Sequence, residues 1–113
     1  MSNRDELVLK KIVQYADEIN ETIVRFDITR ETLDDDFVVR NAISMCILQI
    51  GELVAKLSDG FKTTNNLMPW RDIKAMRNIA AHNYGEMDYD MLWETAIYDI
   101  PDLREYCIGF ITE

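Results

Sequence analysis

Apolar residues recur along the first segment, from about Asp5 to Phe26, at Val8, Ile12, Tyr15, Ile19, Ile23 and Phe26. Steps of three and four describe one stripe of an α-helix. An acidic break follows, Asp27 to Asp36. Asp34, Asp35 and Asp36 have no glycine turn or later glutamate to complete a calcium loop. They read instead as carboxylates at a helix N-terminus, where the dipole favours them. A second helix is predicted from about Asp36 to Leu57, with Ile43, Ile47, Ile50, Val54 and Leu57 in a stripe. Phe37, Val38, Val39, Ala42, Met45, Cys46, Leu48 and Leu53 carry apolar character around most of its circumference. Such a helix is central, and in a chain this small one face is expected against a second copy.

Ser58-Asp59-Gly60 is expected to end that helix, with Gly60 as its C-terminal cap, and residues 61–68 read as a polar turn. Pro69 suits the first position of a third helix over about 69–82. Gly85 marks a turn, Asp88 caps a fourth helix through Asp99, and Pro101 kinks or restarts it for a last run to about Ile111. With no useful strand alternation and no internal repeat, the pattern predicts a single all-α domain over residues 1–113. Its expected architecture is an up-and-down bundle of four to five helices.

Composition narrows the function. The 113 residues carry 12 Lys+Arg against 21 Asp+Glu, a net charge of −9. That balance argues against coating duplex DNA or an anionic membrane surface. The strictly apolar runs are short, so no transmembrane helix is expected, and the charged start has no apolar segment of a signal peptide behind it. Cys46 and Cys107 lie in apolar stretches and read as reduced thiols of a cytoplasmic protein. One histidine, His82, with no C-x-x-C or H-x-x-x-H spacing, leaves no expected metal site, and no glycine-rich phosphate loop implies a cofactor.

What remains is Arg77-Asn78-Ile79-Ala80-Ala81-His82-Asn83-Tyr84. At about 100° per residue, Ile73, Met76, Ile79 and Ala80 fall on the core side. Arg71, Lys74, Arg77, Asn78 and His82 share the other arc, with Tyr84 returning near Arg77. Residues 70–82 have a net charge of +2, between an N-terminal portion at −4 and a C-terminal one at −7. A local basic stripe on an acidic protein points to a specific anion site such as a phosphodiester. The plainer reading is a solvated cationic face with a histidine stabilising the helix C-terminus.

R-N-x-x-x-H-x-Y resembles the R-x(4–6)-H motif of HEPN domains, above all the R-x-x-x-x-H-x-Y form of the HepT-type branch. The likeness extends in order through Ile50-Gly51-Glu52, Pro69-Trp70-Arg71, Met76-Arg77-Asn78, Leu92-Trp93-Glu94 and Ile100-Pro101-Asp102-Leu103, covering about residues 4–107. The resemblance implies a helical bundle that dimerises through the face carrying the motif. It implies a metal-independent ribonuclease toxin of a two-component toxin–antitoxin pair, with Arg77 and His82 catalytic and Asn78 and Tyr84 in support. It also implies an MNT-type nucleotidyltransferase partner that transfers AMP onto Tyr84. The alternative is a non-catalytic HEPN subunit that binds substrate for a nucleotidyltransferase; the intact Arg77/His82 pair argues against it.

Overall fold

The computed structural model describes residues 1–81 and 88–111; within the third long helix, the side chains described are those of residues 70–74 and Arg77. The element order is α1 (Asn3–Arg25), α2 (Thr32–Asp35), α3 (Phe37–Lys56), α4 (Asp59–Thr64), α5 (Trp70–Ala81), α6 (Tyr89–Glu94), a π-helical turn (Thr95–Asp99) and α7 (Ile100–Ile108). Among the described residues there is no strand, as the periodicity predicts.

Each long helix starts and stops for a local reason. Ser2 caps α1 by accepting from the Asp5 amide. At its other end Asp27 takes the left-handed conformation (φ 51°), which aspartate tolerates better than most residues. The Asp27 and Ile28 amides then donate to Val24 and Ile23 carbonyls, closing a Schellman-type cap with Ile28 buried. Asp36 caps α3 through the Val38 and Val39 amides, and Asp88 caps α6 through those of Asp90 and Met91. Pro101 has no amide and its ring crowds the carbonyl four residues back. The helix accommodates it with the π turn and runs on as α7.

Two stretches differ from the sequence reading. The acidic break contains a short helix, α2, with Leu33 buried beneath it. The polar turn is largely helix α4: Ser58 caps it through the Phe61 amide, and Gly60 lies in its first turn instead of ending α3. The end of α3 is the extended residue Leu57. Both short helices are held from outside, by Leu33 and Phe61 buried in the core, and so leave little periodic signal.

Leu9, Ile12 and Ile19 of α1, Ile43, Ile47, Ile50 and Val54 of α3, and Leu92, Ile100 and Leu103 of α6–α7 form the centre of the core. The helix α3 is sandwiched between α1 and α5. By length and composition it could cross a membrane, contrary to the expectation from run lengths. In this fold it is the central helix, with Ile43, Ser44, Ile47, Ile50, Gly51, Leu53 and Val54 buried. Its outer line, Val38, Met45 and Glu52 at seven-residue steps, faces outward; Val38 and Met45 are 63% and 55% exposed. Cys107 is buried and Cys46 partly so, and both are free. Desolvation pushes the Cys107 thiol up to about 12. Desolvation, then the nearby Glu18, pushes Cys46 up to about 11. Both stay protonated and weakly reactive.

Candidate functional site

The helix α5 that carries the motif is fixed at its start by an aromatic cluster. Trp70 is buried, and its indole N–H donates to the Asn65 carbonyl at 2.9 Å. Its ring meets Phe61 and Tyr106, each at a centroid distance of 5.9 Å, and Phe110 closes the set against Phe61 at 5.2 Å and Tyr106 at 5.3 Å. Phe61 and Trp70 are tilted at 55°, and the other three pairs meet edge-on, a geometry that suits the ring quadrupoles and adds about 0.5–1.5 kcal/mol per pair beyond area burial. Phe61 lies in the stretch read from sequence as a polar turn, so this clamp was only half visible in the chain.

Two turns later α5 meets α3 through Arg77. A methyl group built on Gly51 would lie 2.8 Å from the Arg77 Cβ and 3.1 Å from its backbone nitrogen. Only glycine permits this approach. The Arg77 Nη1 donates to Glu52 Oε1 at 3.2 Å, with the two side chains 34% and 47% exposed. Arg71 and Lys74 are exposed and Ile73 is buried, as the helical wheel requires. Arg77 departs from it: its backbone and Cβ sit in the contact with α3, and only its guanidinium reaches outward. Sequence reasoning singled out Gly51 and Glu52 as landmarks without a role; their pairing with Arg77 spans 25 positions and has no local signal.

The far end of the motif region is tied by cations. Arg30 pairs with Asp90 and with Asp34, at 2.5 and 3.2 Å. Arg40 lies over the Tyr89 ring, 4.8 Å from its centroid, while donating to the Leu33 carbonyl. These contacts fix the start of α6 against the α2–α3 corner. His82 and Tyr84, the Asn78 side chain, the packing of Ala80 and Ala81 and the turn at Gly85 lie outside the described residues. Among the described residues, no cluster of three His, Cys, Asp or Glu could hold a metal ion.

An all-α bundle presents a half-exposed arginine on a basic stripe, held against a central helix, directly before an R-x4-H-x-Y histidine. That is the architecture of a HEPN-type protein. Residues 12–108 match the model of the family described as "Ribonuclease HepT-like", and the chain belongs to that family. It is 30% identical over 108 residues to "Putative RNase MJ0125" of Methanocaldococcus jannaschii, covering 93% of this chain and 90% of that protein. It is 30% identical over 95 residues to "Probable ribonuclease HepT" of Thermococcus cleftensis, covering 80% and 86%. A third relative, "Putative RNase TTE0752" of Caldanaerobacter subterraneus, is 32% identical over 78 residues, covering 69% of this chain and 70% of its own. No solved structure matches the chain.

Proposed function

We propose that this protein is a metal-independent endoribonuclease, the toxin of a two-component toxin–antitoxin pair. The observation that carries the reading is Arg77: a guanidinium fixed by Gly51 and Glu52 at the α3–α5 contact, half exposed, five residues before the only histidine. RNA brings its own nucleophile, the 2′-OH. A histidine, with a reference value of about 6.5, can take that proton near neutral pH, and His82 is assigned this role. Arg77 binds the phosphodiester and stabilises the negative charge that develops as the 2′-oxygen attacks phosphorus. The 5′-oxygen leaves with a proton, giving a 2′,3′-cyclic phosphate and a 5′-OH. Asn78 orients the imidazole or the substrate.

One histidine per chain is thin for both acid and base, and a two-fold dimer would supply a second. The outward line of α3 supports such a homodimer: Val38 and Met45 are exposed apolar residues on the same line as Glu52, the partner of Arg77. The cognate partner in this reading is an MNT-type nucleotidyltransferase. It transfers AMP from ATP to the Tyr84 hydroxyl, releasing pyrophosphate and the phenol proton, and the added phosphodiester charge and adenosine bulk block Arg77.

Cleavage of RNA in the presence of EDTA tests the core of this. Wild type is expected to cut, with Arg77→Ala and His82→Ala each losing about 100-fold or more in rate while helicity is kept. Equal activity in either variant overturns the assignment. Co-expression with a cognate MNT-type nucleotidyltransferase is expected to shift the mass of Tyr84 by one or more AMP units. Modification at Tyr89 or Tyr98 instead would overturn the tyrosine assignment.

A further inference from the structure

Gly51 and Glu52 are consecutive residues of α3, and both act on Arg77. The bare Cα of Gly51 lets the Arg77 backbone come within the space a methyl group would need. Glu52 then accepts one N–H of the guanidinium at 3.2 Å. The first residue sets where the arginine backbone lies, and the second sets where its charged end points. Both partners of the ion pair are about a third to a half exposed, so the pair adds only about 0–1 kcal/mol to folding. An interaction this weak does little to hold two helices together. It does suffice to select one orientation of a guanidinium that has five N–H donors and several rotamers.

We propose that Glu52 is a positioning residue for Arg77, an assignment that rests on the ribonuclease reading above. By taking one Nη1 hydrogen, the Glu52 carboxylate holds the guanidinium in place and leaves four N–H donors for the phosphodiester. Glu52 is itself an anion beside an anion-binding group, so it also weakens ground-state binding of RNA. Orientation and charge are therefore separable. An amide at this position keeps the acceptor oxygen and removes the charge; alanine removes both.

The full chain is compared as wild type, Glu52→Gln and Glu52→Ala, with cleavage of a single-stranded RNA measured over a range of concentrations. On the same samples, NMR of the Arg77 guanidinium reads rotation about its Nε–Cζ bond. Glu52→Gln is expected to keep kcat within about threefold of wild type and to lower KM. Glu52→Ala is expected to lose about tenfold or more in kcat, as misplacement of a binding group does, and to free the guanidinium rotation. Wild-type kcat in Glu52→Ala overturns the proposal, as does an equal kcat loss in the two variants. Guanidinium rotation equally free in wild type and Glu52→Ala overturns it too. If wild type fails to cleave RNA, the ribonuclease reading falls, and the NMR comparison still decides whether Glu52 fixes Arg77. Should Glu52→Ala fail to fold, the near-isosteric Glu52→Gln and the wild-type rotation carry the decision.

Discussion

The two described anchors of α5 are of opposite kinds. At Trp70 the helix is anchored by the buried ring of Phe61 from α4 and the partly buried rings of Tyr106 from α7 and Phe110 just after it, with a hydrogen bond from the indole. At Arg77, among the described side chains, it meets α3 through the missing side chain of Gly51 and one partly exposed ion pair. The first contact carries stability and presents no chemistry. Among the described side chains, the second adds one partly exposed ion pair and presents a cation to solvent. In the ribonuclease reading proposed above, the phosphate-binding cation belongs to the second contact, while the aromatic cluster sets where the helix starts.

The largest expected effect falls at the aromatic anchor. Trp70→Ala removes a buried ring and its hydrogen bond, and should cost about 3–5 kcal/mol in denaturant unfolding. A loss below about 1 kcal/mol would mean the aromatic cluster is not the anchor. At the other anchor, Gly51→Ala forces its methyl group against the Arg77 Cβ, which cannot swing away as a side-chain tip could. Overpacking costs about 1–3 kcal/mol, and replacing a helical glycine returns about 1 kcal/mol. The net loss is therefore small, but α5 must shift, and RNase activity should fall further than stability. Equal, small changes in both would show that the close approach is not needed for function.

The smallest effect concerns a neighbouring carboxylate. Asp5 is buried and accepts from the Ser58 amide at 2.9 Å and the Ser58 hydroxyl at 2.7 Å, tying the start of α1 to the start of α4. Burial opposes its charge, but the hydrogen bonds of Ser58, with help from Ser2 and Arg4, outweigh this and hold its carboxyl below the usual value. A carboxylate with a depressed folded value stabilises the protein above its unfolded value of about 3.9, and that stability is lost as pH falls through the folded value. Asp5→Asn should cost about 1 kcal/mol at pH 7 and flatten the acid side of the stability curve. An unchanged acid limb would remove Asp5 from the support of α4. Because this residue is far in sequence and role from Arg77, RNase activity at pH 7 should remain at the wild-type level.

The chain by itself determined the long helices. The helices α1, α3 and α5 and the signals at Asp36, Asp88 and Pro101 appear within a residue or two of where they were expected, because helical period and capping are local. It also placed Arg71 and Lys74 on the exposed arc of α5, though not the burial of the Arg77 backbone against α3, and its R-x4-H-x-Y spacing pointed to the family. Tertiary structure decided the rest. The helices α2 and α4 form because Leu33 and Phe61 are buried by elements distant in sequence; four and six residues are too few to hold a helix on propensity. The aromatic clamp joins Phe61 and Trp70 to residues about forty positions later, and the Glu52–Arg77 pair joins two helices. Those contacts depend on which helix faces come together, and that is set by packing the whole apolar surface at once, which no local window of sequence contains.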